Sequence, residues 1–360
     1  MIIALNFIAL PDERGSGAFH YIRNLLEVMG EYTLRDTHFI VYKQRQISDA
    51  YIGMPANADV EYVNVPTLGN GWRRILFEQT RFYRYIKPCD VFYSYCTSLP
   101  LHVKAKRVFT LHDVYYLTTP ERYGWLQRTY LKFITRLYAR RVDEILTVSY
   151  YSQGQIEGYI PAARGKVRMT HNSLPEYCAE EQAVTIDSKP FFLFVGSIQP
   201  GKNIVRTVQA FEQFNQAHHY QLIVVGKPMQ NSQVILDQIA GIPDVHYMGY
   251  MPDAQVTYLY KRAEAVVLCS LCEGFGIPPL EGFRFGKPAL VANTTSLPEV
   301  VGEAGIQVDP LNIQEIAEGF QHVLDQRDEL AQHTQEQIDK FDRHTACETW
   351  MKSVLINYSK

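Results

Sequence analysis

Ala265-Val-Val-Leu-Cys-Ser-Leu-Cys-Glu273-Gly-Phe-Gly-Ile-Pro-Pro-Leu-Glu281-Gly282 reads as a strand, a tight loop and a helix start. The apolar run Ala265–Leu268 predicts a buried strand. Gly274 and Gly276 leave room for a ligand to approach the backbone. Pro278 and Pro279 suit a first helical turn, whose N–H groups have no intrahelical partner. Such a junction suits a phosphorylated or polyhydroxy ligand. Glu273 and Glu281, eight positions apart, could hold its hydroxyls. The segment points to an enzyme that handles a sugar attached to a phosphate.

Working outward, the same alternation fills the chain. Strands are expected at Ile2–Phe7, Phe39–Tyr42, Val60–Val63, Val91–Tyr93, Arg107–Leu111 and Glu144–Val148, with helices at Ala18–Gly30, Trp72–Ile86 and Trp125–Arg141. After a polar, aperiodic stretch at 176–190, strands are expected at Phe191–Val195, Gln221–Val225, Val245–Met248, Ala265–Leu268 and Pro288–Val291. Helices are expected at Ile204–Ala217, Ser232–Ile239, Ala254–Arg262, Ile277–Phe285 and, capped by Asn312, Ile313–Gln326. Strands alternating with helices imply βαβ units and mostly parallel sheets. The expected fold is α/β, two Rossmann-like doubly wound lobes facing across a cleft, with ligands at strand carboxyl ends. We expect the lobes at 1–178 and 179–341, with a terminal helix in 342–360 carrying Trp350, Val354 and Leu355 on one stripe.

Composition narrows the class. At 360 residues, 46% hydrophobic and 20% charged, the chain suits a soluble two-domain protein. It has no apolar run of the ~18 residues that span a bilayer, and its start lacks the features of a secretory signal. Six scattered cysteines, only Cys269 and Cys272 at C-x-x-C spacing, read as packing thiols rather than a zinc site. These features lead us to expect a cytoplasmic protein. Residues 1–175 carry 22 Lys and Arg against 15 Asp and Glu; residues 176–360 carry 13 against 23. The imbalance suggests lobes with different partners, but no nucleic-acid motif accompanies it, so a nucleic-acid partner is not expected.

Three further constellations carry polar chemistry. Phe191–Val195 runs into Gly196-Ser197, and Lys202 stands at the next helix start, with Arg206 on the same helical face. A lysine beside helix N–H groups suits a diphosphate, although a solvated basic face would read the same. Gly15-Ser16-Gly17 follows the first strand; with His20 in the last position it is not a complete dinucleotide fingerprint. Thr110-Leu-His112-Asp113 puts a histidine at a strand's carboxyl end. Asp113 could fix the imidazole tautomer or cap the following turn.

Together these residues resemble family 4 of the nucleotide-sugar glycosyltransferases, of GT-B fold. Glu273-Gly-Phe-Gly-Ile-Pro-Pro-Leu-Glu281 looks like its E-x7-E motif, continued by Gly286-Lys-Pro and Ser296-Leu-Pro-Glu-Val-Val-Gly-Glu-Ala-Gly305. The resemblance implies that Glu273 meets the donor sugar's hydroxyls, with the amides of Phe275 and Gly276 close by. Glu281 is implied on the ribose, Lys202 on the leaving diphosphate, His112 at the sugar and Gly17 against the phosphates. Ser197 stands where many members carry a second cation, so Lys202 is expected to act nearly alone, helped by helix N-termini and Arg206. The family implies retention of configuration with no metal and no cofactor beyond the donor. GDP-mannose is taken ahead of UDP-hexoses, on likeness of the Ser-Leu-Pro-Glu-Val region to mannosyl-transferring relatives. The acceptor would be a glycan or a lipid-linked sugar of a bacterial-type surface polysaccharide. A GT-B epimerase acting on a UDP-sugar and a non-catalytic bilobal binding protein are the rival readings.

Trp72–Lys87 and Trp125–Arg141 mix aromatic and basic residues. Such helices could rest on anionic lipid at the inner face of the cell membrane, or could be core helices with a basic outer face.

Overall fold

The computed structural model describes residues 1–13, 16–69, 71–119, 123–175, 180–229 and 232–355. The chain divides into two compact units, Met1–Pro175 with Asp342–Lys360, and Glu176–Phe341. The expected boundary at 178/179 lies outside the described residues.

The first unit contains β1 (Ile2–Asn6), β2 (His38–Gln44), β3 (Asp59–Val65), β4 (Val91–Ser94), β5 (Lys106–Thr110), β6 (Glu144–Thr147) and β7 (Val167–Met169). They form one sheet in the order β3-β2-β1-β4-β5-β6-β7, and every adjacent pair is parallel. The second unit contains β8 (Phe191–Val195), β9 (Gln221–Val225), β10 (Val245–Gly249), β11 (Val266–Leu268), β12 (Ala289–Ala292) and β13 (Gly305–Val308). Its order is β10-β9-β8-β11-β12-β13, again parallel throughout. Both units are Rossmann-like. Strand order reverses between β1 and β4 in one, and between β8 and β11 in the other. Such switch points are where open α/β sheets bind ligands.

The strands are apolar on both faces because helices cover both. In β8, Leu193 packs with Ile223, Leu259 and Val266 on one side. Phe192, on the other side, meets Phe320 edge-on at 4.8 Å and Phe214 at 5.7 Å. Helix Gly17–Met29 starts at Ser16, whose hydroxyl accepts from the Phe19 amide. Helix Ile313–Asp325 starts at Asn312, whose side chain accepts from the Glu315 amide.

Several expectations are corrected. The stretch Trp72–Ile86 is a helix over Trp72–Thr80 and then a 3-10 turn over Phe82–Arg84. The break turns Phe82 fully into the core, edge-on to Tyr42 at 5.3 Å. Helix Tyr150–Tyr159, capped by Ser149, has Gly154 and Gly158 in its body and little helical periodicity to reveal it. Edge strands β7 and β13 are short and only partly buried.

The terminal helix, Arg343–Val354, belongs to the first unit. Trp350 is fully buried and meets Tyr93 edge-on at 5.4 Å. The Ser353 hydroxyl donates to Glu144 at 2.8 Å, and the Tyr32 hydroxyl to Glu348 at 3.0 Å. Leu355 follows the helix and is still buried.

Candidate functional site

In the second unit, three loops leave the carboxyl ends of neighbouring strands: 196–203 after β8, 269–276 after β11 and 293–296 after β12. The first ends in a 3-10 turn, Pro200–Lys202, because Asn203 adopts the left-handed conformation at φ +57°. Asn203 is buried; its amide group donates to the carbonyls of Cys269 (3.0 Å) and Pro310 (2.7 Å). The Leu271 amide donates back to the Gly201 carbonyl at 2.9 Å. These bonds fix the first loop against the second. The Lys202 side chain then passes over Gly196, where a Cβ would lie 3.6 Å from Lys202 Cε.

At the switch point Lys202 Nζ meets Glu273 Oε1 at 2.5 Å. Their side chains are only 14% and 10% exposed, so little water screens the pair. The two residues lie 71 positions apart and meet only because β8 and β11 are neighbours.

The Glu273 loop is held by Ser296. Its hydroxyl, fully buried, lies 2.9 Å from the Glu273 carbonyl and 2.8 Å from that of Phe275. Ser296 precedes helix Leu297–Val301, yet its hydroxyl makes no capping bond to that helix. Sequence reasoning placed it in a motif but missed this role. Gly276 adopts φ +100°, and a Cβ there would come within 2.6 Å of Leu297 Cδ2. The Phe275 ring is buried edge-on to Phe341 at 5.1 Å, so its backbone, not its ring, is the ligand-facing candidate.

Glu281, on helix Ile277–Phe283, accepts a 2.5 Å hydrogen bond from the Tyr260 hydroxyl. Burial pushes the Glu281 carboxyl up from its usual range. Tyr260, on helix Asp253–Arg262, is not among the residues expected at the site from sequence. Gly282 belongs to the same packing, since a Cβ there would meet Val266 Cγ2 at 2.4 Å. Arg206 is not drawn to Glu273: its guanidinium donates to the Asn203 side chain at 3.0 Å. The Ser197 hydroxyl accepts from the Gln199 amide group at 2.9 Å.

His112 and Gly17 belong to the first unit. His112 lies just beyond β5, edge-on to Tyr21 at 5.4 Å, with Nε2 3.2 Å from the Tyr95 carbonyl. A carbonyl only accepts, so Nε2 carries the proton and Nδ1 keeps its lone pair. Burial pushes the imidazole down to about 4, which leaves it neutral at physiological pH. Asp113 accepts from the Tyr115 amide at 3.0 Å, as a turn cap does. Gly17 is the exposed first residue of helix Gly17–Met29. Gly15, the other glycine of that loop, lies outside the described residues. Among the described residues, no group of three or more His, Cys, Asp or Glu side chains is arranged to hold a metal ion.

The family model "Glycosyl transferases group 1" matches residues 179–341, the stretch that carries the Lys202–Glu273 pair, Ser296 and Glu281. The O-antigen chain mannosyltransferase B of Escherichia coli is 31% identical over 230 residues, 60% of this chain and 60% of that one. The serotype-specific mannosyltransferase WbdA of Escherichia coli is 29% identical over 271 residues, 69% of this chain and 33% of that protein. The chain thus spans 60% or less of the length of these two relatives. Among solved structures, sucrose-phosphate synthase from Thermosynechococcus elongatus aligns with a TM-score of 0.75 at 16% identity, covering 98% of each chain. At that identity the likeness concerns the fold, which is GT-B.

Proposed function

We propose that this chain is a retaining glycosyltransferase. It would move a hexosyl group from a nucleotide sugar, GDP-mannose first among candidates, to a glycan or lipid-linked acceptor in surface polysaccharide biosynthesis. The observation that carries the reading is the Lys202–Glu273 pair at the switch point of the family-matched unit. The choice of mannose rests on the relatives' names.

In this proposal the donor's diphosphate takes the place of the Glu273 carboxylate beside Lys202 Nζ. Glu273, released, accepts hydrogen bonds from the sugar's hydroxyls. Glu281, with Tyr260 behind it, does the same for the ribose. The anomeric carbon–oxygen bond breaks, its electron pair leaves on the nucleoside diphosphate, and the sugar passes through an oxocarbenium-like state. Charge on the departing diphosphate is stabilised by Lys202 in a poorly hydrated site, a term worth several kcal/mol in comparable sites. The acceptor hydroxyl attacks the same face and gives its proton to the departing phosphate oxygen. His112, neutral with a lone pair on Nδ1, is an acceptor for a sugar hydroxyl. Gly17, at the start of its helix, lets backbone approach the phosphates. Lys202 would supply the positive charge without a metal, and the protein would work on the cytoplasmic side of a membrane.

The test is calorimetry with GDP, UDP and dTDP sugars, followed by NMR of the product's anomeric configuration with and without EDTA. We expect one nucleotide series to bind, the product to retain configuration, and EDTA to change nothing. No response to any nucleotide sugar overturns the reading. Interconversion of a free UDP-sugar without acceptor would establish the epimerase instead.

A further inference from the structure

Twelve large hydrophobic side chains are prominently exposed among the described residues. Six of them lie between positions 72 and 133: Trp72 (57%), Leu76, Tyr83, Trp125 (75%), Leu126 and Phe133. Five of them sit on two helices that run side by side in the first unit, Trp72–Thr80 and Trp125–Arg141, and Tyr83 lies on the 3-10 turn Phe82–Arg84 that follows the first. Trp72 meets Tyr130 edge-on at 5.2 Å, and seven residues further along, Gln79 donates to Tyr138 at 3.2 Å. The two contacts advance together along both helices, so the helices are parallel neighbours and their outer faces form one surface.

That surface is polarised. Both helices follow a strand's carboxyl end and run back toward the amino ends of the sheet. Trp72, Leu76, Trp125 and Leu126 therefore cluster at the carboxyl end, where the unit's binding loops emerge. On the longer helix, about 25 Å long, the exposed face then continues through Lys132 and Phe133 to Arg136 and Arg140. Arg81 and Arg84 are exposed on the neighbouring segment. Residues 72–87 and 125–141 contain ten Lys and Arg and one acid, Glu78. Glu78 is buried and neutralised internally by Arg74 at 2.9 Å, so it does not offset the surface charge. At the basic end a cavity of about 660 Å³ is lined by Tyr83, Ile86 and Val103 with Lys87, His102 and Lys104. Lys87 also pairs with Glu61.

We propose that this face docks on a bilayer containing acidic phospholipid, with the Trp72–Trp125 end inserted at the interface and the basic end on the headgroups. Tryptophan and leucine at one end with arginine beyond match a headgroup boundary, where amphipathic rings and basic side chains are both favoured. A second protein or a second copy of this chain would also cover apolar surface, but an uncompensated basic field calls for an acidic partner. The inference deepens the proposed function and rests on it only for its purpose. With the carboxyl end of the first unit at the membrane, a lipid-linked acceptor reaches the binding loops without leaving the bilayer.

The test is vesicle co-sedimentation of the full chain, which needs no activity. Phosphatidylcholine vesicles with and without phosphatidylglycerol are compared at low and high salt, beside light scattering of the protein alone. Variants Trp125→Ser/Leu126→Ser and Arg136→Glu/Arg140→Glu change only exposed side chains, and unchanged melting verifies their fold. We expect binding to acidic vesicles alone, weakened by salt, and at least roughly tenfold weaker partition for the charge variant. The serine variant should bind less and lose tryptophan fluorescence blue-shift. Absence of binding to acidic vesicles, or binding indifferent to both variants, overturns the proposal. So does self-association abolished by the serine variant when vesicles do not bind. Nucleotide-sugar binding is measured separately, so failure here leaves the transferase reading standing.

Discussion

Glu273→Gln should tighten the binding of the free nucleoside diphosphate while it impairs transfer. In the unliganded protein Lys202 is occupied, with Glu273 Oε1 at 2.5 Å from its ammonium. At an effective dielectric constant near 20 the direct attraction at that distance is about 6–7 kcal/mol. Desolvation of two side chains exposed only 14% and 10% offsets most of it. A net worth of about 1–2 kcal/mol is a reasonable remainder for a partly buried pair. A diphosphate that takes over Lys202 must first give up that amount, since it brings no sugar to occupy Glu273. Removing the carboxylate's charge removes the competition. The expected gain is about 5- to 30-fold in affinity. The assay is isothermal titration of whichever nucleoside diphosphate the wild type binds, on wild type, Glu273→Gln, Lys202→Met and the double variant. Lys202→Met should weaken binding, and in its background Glu273→Gln should add nothing. Steady-state transfer by Glu273→Gln should fall, because the sugar's hydroxyls lose their acceptor. Weaker diphosphate binding in Glu273→Gln, or a gain that persists without Lys202, refutes the reasoning.

Ser296→Ala removes a fully buried hydroxyl shared by two carbonyls; we expect a loss of about 1–3 kcal/mol in urea unfolding and a higher KM for the donor. Gly276→Ala forces a Cβ to 2.6 Å from Leu297 Cδ2 at φ +100°; about 1–3 kcal/mol of destabilisation should appear as a lower melting temperature, with transfer reduced by the displaced Glu273 loop. Burial holds His112 down to about 4, so the unfolded chain binds its proton first as pH falls. Its stabilising contribution is full above about pH 6.5 and lost as pH drops toward 4, up to about 3 kcal/mol. Glu78 and Glu281, raised by burial, act in the opposite sense. The difference in urea midpoint between wild type and His112→Gln across that window therefore isolates the histidine, and a flat difference would refute its buried neutral state.

Most of the fold could be read from sequence because central parallel strands are buried on both faces and leave unbroken apolar runs. Phe191–Val195 and Gln221–Val225 fall where their runs predict. Val167–Met169 and Gly305–Val308 do not stand out, since an edge strand of three or four half-buried residues has no such signature. Helix Tyr150–Tyr159 hides for a different reason: two glycines and a nearly even spread of polar residues remove the 3.6-residue period. The residue types at the candidate site were legible in motifs, but their partnerships were not. Nothing local in Ser-Leu-Pro-Glu says that Ser296 reaches back to two carbonyls of the Glu273 loop instead of capping its own helix. Nor does the periodicity around Tyr260 distinguish a packing ring from a hydroxyl aimed at Glu281.

Topology also explains why the two switch points have different chemistry. In the first unit the junction of β1 and β4 is closed by buried hydrogen bonds of the protein to itself. Asn6 donates to the Ser94 hydroxyl at 3.1 Å and to the Ser98 carbonyl at 2.8 Å, all of them buried. A charged ligand entering there would strand an amide and a carbonyl without partners, at a cost of about 1–3 kcal/mol for each. In the second unit the junction of β8 and β11 is bridged by an ion pair. A nucleotide sugar carries a partner for each half of that pair, phosphate oxygens for the ammonium and hydroxyls for the carboxylate. It can separate Lys202 from Glu273 and leave both satisfied. Two sheets of the same strand order thus present one closed junction and one exchangeable junction. The exchangeable one is where a donor that is anionic at one end and hydroxylated at the other can bind without leaving a buried charge alone.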